Sequence, residues 1–338
     1  MTLRRVLVIG VGSIGERHVR CFQATGRARV SVCDVDDALR ERIVRQYGIE
    51  REYGDWKAAA DESHDAAVIA VPAHLHVAIA AHLAARGIDL LIEKPLSTVF
   101  GGIDVDAIET MLRSVEEHRV RAGVAYVLRH HPALRALRDA LREGRFGRPL
   151  QVVAVAGQHF PTYRPAYREV YYANRSQGGG AIQDAITHLL NAGEWLVGPM
   201  ERLVADAAHQ ALEGVDVEDT VHLLARQGHV LSSYSLNQYQ APHESTVTVV
   251  CQRGTCRVEL HRNVWSWMTE PGGVWHEESL GSLDRDELFI RQANAFLDVV
   301  EGRAEPACSL DEAYHTLRVC EAAMRSVETR TWQEVEPS

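Results

Sequence analysis

Residues 6–15 read Val6-Leu7-Val8-Ile9-Gly10-Val11-Gly12-Ser13-Ile14-Gly15, and their order decides the first part of the fold. A short apolar run, a G-x-G-x-x-G turn and a helical stretch behind it describe a strand feeding a helix. Gly10 allows the tight turn, Gly12 lets a pyrophosphate approach the backbone, and Gly15 lets helix and strand pack closely. The helix start, with Ser13 and Ile14 in its first turn, offers open N–H groups and a partial positive charge to phosphates. Asp34 follows 19 residues after Gly15, at the end of the next apolar run, where a carboxylate takes the adenosine ribose hydroxyls. A carboxylate there repels a 2′-phosphate, so NAD is favoured over NADP as cofactor. The plainer alternative is a tight turn followed by a helix-capping aspartate.

Outward from this stretch, strand and helix signals alternate to about residue 128. Apolar runs at 30–33, 67–71, 90–92 and 120–127 separate helical stretches at 15–25, 37–47, 74–86 and 101–118. The runs are continuously apolar, so they predict a parallel sheet with both faces covered. The pattern then changes to a helix at 132–143, a strand at 150–156 and a Tyr- and Arg-rich loop at 159–177. Gly178-Gly179-Gly180 opens a helix to Val197. Strand-like runs near 203–207, 220–225, 230–236, 246–251 and 256–260 have short connections, with hairpin turns at Gln227-Gly228 and Arg253-Gly254. This second sheet is therefore largely antiparallel. Helices at 285–301 and 310–329 finish the chain. The fold class is α/β, with a dinucleotide-binding domain over 1–128 and a substrate-binding and oligomerisation domain over 129–338.

The 338 residues are 46% hydrophobic, enough to bury a core, and a low proline count of 11 argues against a disordered chain. A formal net charge of −10 makes nucleic acid an unsuitable partner, since phosphate backbones are tracked by basic faces. No 18-residue apolar run exists, so no membrane helix is expected. Met1-Thr2-Leu3-Arg4-Arg5 resembles the charged start of a leader, but the apolar run behind it is short and ends at Gly10. A buried strand and a cytoplasmic location are the reading. The six cysteines (21, 33, 251, 256, 308 and 320) contain no C-x-x-C pair and read as core thiols in a reducing compartment, with Cys251 and Cys256 facing each other across strands.

Only two lysines, Lys57 and Lys94, occur among 36 basic residues, so a lysine kept under that bias is a candidate for chemistry that arginine cannot do. Lys94 belongs to Glu93-Lys94-Pro95, which closes a strand of the first sheet, where ligands of open α/β sheets bind. The Lys94–Pro95 bond is a candidate cis peptide. A third cluster, Asp184, His188 and Asn191, has the spacing of one helix face, with Ile182, Ala185, Ile186, Leu189 and Leu190 opposite it. A carboxylate one turn from a histidine supports general acid–base work near neutral pH; a solvated helix face is the bland alternative. His74 and His76, two apart, do not share a helix face, and no metal is expected.

Taken in order, Gly10–Gly15, His76 four residues after Pro72, Glu93-Lys94-Pro95, and Gly178–Gly180 with Asp184 and His188 resemble the Gfo/Idh/MocA oxidoreductases. The resemblance spans essentially the whole chain. It implies an N-terminal Rossmann domain, a C-terminal α/β domain with an open mixed sheet, and NAD(P)-dependent oxidation or reduction of a sugar or cyclitol hydroxyl. It also implies that Val71, Pro72, His76 and Glu93 lie at the cofactor. Lys94 would meet substrate and nicotinamide ribose, and His188 would handle the hydroxyl proton with Asp184 beside it. Ile186 and Asn191 depart from the pattern, which often has glycine and aspartate there.

Tyr163, Arg164, Tyr167, Tyr171 and Asn174 lie in the loop at 159–177, where four of ten tyrosines fall within ten residues. Tyrosines suit sugar faces, and arginines suit carboxylate or phosphate. An anionic or nucleotide-linked sugar, or a cyclitol, is the expected substrate, with Tyr126, Arg129 and His131 as further pocket candidates. Two other readings use the same fold: a non-catalytic NAD- or sugar-sensing regulator, and an NAD-dependent glycoside hydrolase with redox-neutral turnover. An open second sheet invites a homodimer or homotetramer.

Overall fold

The apolar run that opens the chain forms β1 (Arg4–Ile9), a central strand of an all-parallel six-stranded sheet. With β2 (Ala28–Cys33), β3 (Glu52–Tyr53), β4 (Ala66–Ile69), β5 (Asp89–Ile92) and β6 (Ala122–Val124), the order is β3-β2-β1-β4-β5-β6. This is the doubly wound order whose crevice lies beyond the strand ends beside β1. The connecting helices are α1 (Ser13–Ala24), α2 (Asp37–Tyr47), α3 (Trp56–Ala60), α4 (His76–Ala84) and α5 (Val105–Glu117). Sequence signals set their limits: Asp36 caps α2 by accepting from the Leu39 amide, and Gly48 ends it in the left-handed region. The computed structural model describes residues 3–336. Met1 and Thr2, part of the leader-like stretch, lie outside the described residues, and Arg4–Ile9 is a strand as expected.

Two units make up the chain. The first consists of the chain up to Ser97, Asp104–Val127 and a returning stretch, Asp284–Leu310. The returning helix, Glu287–Val300, supplies Phe296, Leu297 and Val300 to the cluster that surrounds Val6, Val8, Val19, Phe22 and Val32. Arg27 ties it down by hydrogen bonds to Asp298 (2.8 Å) and Glu301 (3.0 Å).

The second unit is built on nine strands: β7 (Pro149–His159), β8 (Arg202–Ala208), β9 (Thr220–Gln227), β10 (Val230–Asn237), β11 (Tyr239–Cys251), β12 (Gly254–Glu259), β13 (Val264–Met268), β14 (His276–Ser279) and β15 (Gln333–Glu334). Their order is β14-β13-β12-β11-β7-β10-β9-β8-β15, antiparallel except for the β7–β10 pair. The mixed, mostly antiparallel sheet matches the expectation. Its helices are α6 (Pro132–Arg142), the short α7 (Phe160–Tyr163), α8 (Thr187–Val197) and the last helix, Leu310–Thr329. Alternation puts Val221, Leu223 and Ala225 of β9 and Val230, Tyr234 and Leu236 of β10 on the buried face. Leu224, Leu231 and Val155 are exposed.

Three local expectations are corrected. The stretch behind Gly178–Gly180 does not begin as α-helix: Ala181–Ile186 is π-helical, and α8 starts only at Thr187. The β9–β10 turn is Gly228-His229 and the β11–β12 turn is Gln252-Arg253, since Gln227 pairs with Val230 and Cys251 with Gly254. A further hairpin, β13–β14, has no sequence signal in β14, whose four residues are exposed and polar and show no apolar alternation.

Close contact between α8 and β10 depends on Gly193. A Cβ there would sit 1.9 Å from the Tyr234 hydroxyl, which is buried and donates to Gln227 (2.9 Å). Gly193→Ala is expected to destabilise the protein by about 1–3 kcal/mol, the usual cost of overpacking a core, read as a lower urea unfolding midpoint. An unchanged midpoint would mean that α8 shifts without penalty.

Candidate functional site

The glycine turn at the tip of β1 has the geometry its spacing predicts. Gly10 has a φ of 84° and donates from its amide to the Cys33 carbonyl at 2.8 Å. A Cβ at Gly15 would lie 1.8 Å from the Gly10 carbonyl oxygen, whereas one at Gly12 would meet nothing within 4 Å. So the first and third positions are closed by the protein itself, and the second is open to a ligand. Gly12 and Ser13 are exposed at the N-terminus of α1, and Ile14 is half-buried. Asp34 bends back over this turn: its carboxylate accepts from the Val11 amide (2.7 Å) and the Asp36 amide (3.0 Å). The turn and the acidic residue thus form one unit, whose open position, helix start and carboxylate suit a dinucleotide.

Two buried braces hold the neighbouring strand ends. His76 sits with Nδ1 2.9 Å from the Pro95 carbonyl and Nε2 2.8 Å from the Val71 carbonyl. Burial lowers its pKa, although both carbonyls favour the charged ring. The neutral ring has one N–H, which donates to one of these carbonyls while the other ring nitrogen faces the second, so His76 is wedged between Val71-Pro72 and Lys94-Pro95; the Lys94–Pro95 bond is cis. Glu93, 6% exposed, accepts from His18 Nε2 (2.7 Å) and from the Lys94 amide (3.1 Å). The polar atoms of His76 and Glu93 hold the backbone that carries Lys94, which is half-buried at the end of β5. Sequence reasoning missed His18. Its signal is a polar residue on the buried Gly15–Val19–Phe22 face of α1. Tyr126 is buried in this same unit.

In the second unit, Tyr171 and Asp184 come together. The Tyr171 hydroxyl donates to Asp184 Oδ1 at 2.7 Å, and the tyrosine is 40% exposed. Asp184 lies in the π-helical turn, while His188, also half-buried, is the second residue of α8. The backbone between them is thus a π-turn leading into α-helix, and a π-turn is a feature frequent at functional sites. Glu218 holds that turn: its side chain accepts from the Ile182 amide (3.0 Å) and pairs with Arg175 (3.1 Å).

Other candidates are placed differently. Tyr167 is 3% exposed, packs with Phe160 and Tyr172, and donates to the Glu213 carbonyl at 2.7 Å, so it belongs to the loop's own core. Asn174 caps a short 3-10 turn by accepting from the Ser176 amide. Arg129 is 2% exposed and bonds to Asn191 and Glu312 inside the protein. Asn191 is likewise buried rather than on a solvated face. Tyr163 is exposed, its ring 4.9 Å from that of His243. Arg168 pairs with Glu213 and Arg175 with Glu218, whereas the exposed Arg164 side chain has no hydrogen-bond or ion-pair partner among the described residues.

The Glu93–His18 pair predicts a pH dependence. Burial alone would raise the Glu93 carboxyl, but the hydrogen bond and charge of His18, with Lys94, outweigh it and hold it below the usual glutamate range. The folded-state pKa is thus below the unfolded one. The pair contributes stability above about pH 4.3, and that contribution is lost as pH falls through the lowered folded value. Glu93→Gln is expected to cost about 3 kcal/mol at pH 7, as removal of one partner of a buried pair does. It should also flatten the acid limb of stability. Urea unfolding midpoints of both proteins between about pH 2.5 and 6 check this, because the slope that Glu93 contributes arises below its unfolded value near 4.3; parallel curves over that range would refute it.

Comparison with known proteins adds the lineage. Residues 4–126 match the model described as "Oxidoreductase family, NAD-binding Rossmann fold", and residues 134–257 match "GFO/IDH/MocA C-terminal domain". The inositol 2-dehydrogenase of Rhizobium meliloti is 26% identical over 97% of each chain. Among solved structures, a levoglucosan dehydrogenase in complex with NADH superimposes with a TM-score of 0.89 over 100% of each chain, at 21% identity. The WlbA dehydrogenase from Bordetella pertussis, in complex with NADH and UDP-GlcNAcA, superimposes with a TM-score of 0.82 over 100% of each chain, at 22% identity. With both of its domain models matched in order on this fold, the chain belongs to the Gfo/Idh/MocA oxidoreductase family.

Proposed function

We propose that this protein is an NAD(P)-dependent dehydrogenase or reductase of a sugar or cyclitol CH–OH group, with NAD the preferred cofactor. The observation that carries the reading is the cradle at Gly10–Gly15. Its middle position is open, its outer positions are closed, and Asp34 is tied to the same turn. That carboxylate, placed for ribose hydroxyls, disfavours a 2′-phosphate. When bound, the nicotinamide supplies hydride transfer.

The chain's own residues supply the proton chemistry. His188 takes the hydroxyl proton in oxidation and returns it in reduction. Asp184, its Oδ1 occupied by Tyr171, supports the ring's charge as it changes. Lys94, fixed by the Glu93 and His76 braces, polarises the carbonyl oxygen as it forms. Arg164, the loop arginine left without a carboxylate, gives an anionic substrate group a partner, which supports an anionic or nucleotide-linked sugar. Val155, Leu224 and Leu231 are exposed apolar residues of the nine-stranded sheet, which supports self-association into a homodimer or homotetramer.

The test is fluorescence titration with NADH and NADPH, followed by a panel of sugars, sugar acids, cyclitols and UDP-sugars with oxidised cofactor. NADH is expected to bind more tightly than NADPH. Lys94→Ala and His188→Ala are each expected to lose at least about 100-fold in turnover with NADH binding retained. Binding of neither cofactor, or undiminished turnover in both variants, would overturn the reading.

A further inference from the structure

A buried polar network runs along α8 on the side of the last helix. Asn191 Oδ1 accepts from Arg129 Nε at 2.9 Å, and Asn191 Nδ2 donates to Thr316 Oγ1 at 3.0 Å. The Thr316 hydroxyl donates to Glu194 Oε2 at 2.6 Å. Glu194 Oε1 meets His315 Nδ1 at 2.6 Å and accepts from the Met200 amide at 3.2 Å. Arg129 Nη1 donates to Glu312 at 2.7 Å. Arg129, Asn191 and Thr316 are 2%, 1% and 0% exposed.

The direction of each bond is fixed by chemistry. A guanidinium only donates, so it must meet the carbonyl oxygen of Asn191; flipping the amide would set donor against donor. Thr316 has one hydroxyl hydrogen and two acceptors in reach, Glu194 Oε2 at 2.6 Å and the Glu312 carbonyl at 3.1 Å, and the shorter bond, to a carboxylate, takes it. The same oxygen can then only accept, so it needs the Asn191 NH2. An aspartate at this position would satisfy Arg129 but place a carboxylate oxygen against a hydroxyl whose hydrogen is already committed. It would also add an anion beside Glu194, whose side chain is 8% exposed. Unsatisfied buried polar contacts of this kind are costly.

We infer that Asn191 is a positioning residue for His188, and that this chain requires an amide there because only an amide both accepts from Arg129 and donates to Thr316. Asn191 lies three residues after His188 on α8, so it is a neighbour on the helix surface. The network locks the roll of that segment against the turn that carries Arg129 and against the last helix. A carboxylate breaks one link and lets the segment turn, displacing the His188 ring. The consequence for turnover rests on the dehydrogenase reading above; the consequence for the ring does not.

The isosteric change Asn191→Asp tests the inference, together with the double variant Asn191→Asp/Glu194→Gln. In the double variant the new side-chain amide in place of Glu194 donates to Thr316. That frees the Thr316 hydrogen for the new carboxylate in place of Asn191. The relay reverses, and the number of buried charges is restored. Two readouts apply: kcat and KM on a panel substrate, and the His188 imidazole Cε1–H resonance in the holoprotein with NADH, assigned by difference with His188→Ala. Asn191→Asp is expected to lower kcat at least tenfold with KM changed less than threefold, and to move the His188 resonance. The double variant is expected to return both toward wild type. A single variant within twofold of wild-type kcat with an unmoved resonance would overturn the inference, as would a double variant no better than the single. If wild type turns over no panel substrate, the dehydrogenase reading fails. The resonance then decides the positioning role: moved in the single and restored in the double supports it, and any other pattern overturns it.

Discussion

The approach of α1 to the tip of β1 is the contact on which the first unit depends. Gly15 lies so close to the Gly10 carbonyl that a single methyl group would reach 1.8 Å from it. With that contact fixed, α1 can lie only one way, and its buried face delivers Val19 and Phe22 to the core and His18 to Glu93. Glu93 in turn accepts from the Lys94 amide, so the place of the lysine traces back through two hydrogen bonds and one helix to a missing side chain. His76 fixes the same segment from α4 through the Pro95 carbonyl. Glu93 and His76 thus frame the strand end that carries Lys94. The cost of burying Glu93 is offset by the histidine and amide that meet it.

In the second unit a buried carboxylate plays the corresponding part. Glu218 accepts from the Ile182 amide, its carbonyl accepts from the Ala181 amide, and its side chain fills the space where a Cβ on Gly180 would stand. Those contacts hold the π-turn from its start, and Arg175 brings the end of the Tyr- and Arg-rich loop to the same acid. Loop and turn therefore share one anchor. Tyr171 from the loop reaches Asp184 in the turn, so the carboxylate beside the proposed base is set partly by a loop residue. Asp184 thus stands on a π-turn and His188 on the α-helix that follows it, and a π-turn persists only where neighbouring packing enforces it.

The parallel sheet was legible because its strands other than the short edge strand β3 are largely buried and read as apolar runs, whereas the exposed Glu52 and half-buried Tyr53 of β3 give no such run. The cradle was legible because its glycines and Asp34 keep fixed offsets imposed by a tight turn. The π-turn was not, since nothing in Ala181–Ile186 distinguishes it by composition from an ordinary helix start. Nor was the division of labour within the loop. Tyr163, Tyr167 and Tyr171 look alike in sequence, yet Tyr167 closes a small core, Tyr163 meets His243 and Tyr171 binds Asp184. Among the loop arginines the difference lies in partners far along the chain, Glu213 and Glu218, which no local pattern reveals.

Burial separates the polar residues of this protein by the kind of work they can do. Glu93, His76, Arg129 and Asn191 have almost no access to solvent, and their hydrogen bonds run to protein groups. Lys94, Asp184, His188 and Tyr171 keep partial exposure. A group that sets a position gains from losing water, because the low dielectric around it strengthens every bond it makes. A group that passes a proton to a substrate has to stay reachable, so it cannot be enclosed to the same degree. The two sets are adjacent in sequence, Glu93 with Lys94 and His188 with Asn191. The helix or strand that buries one member of each pair therefore aims the other.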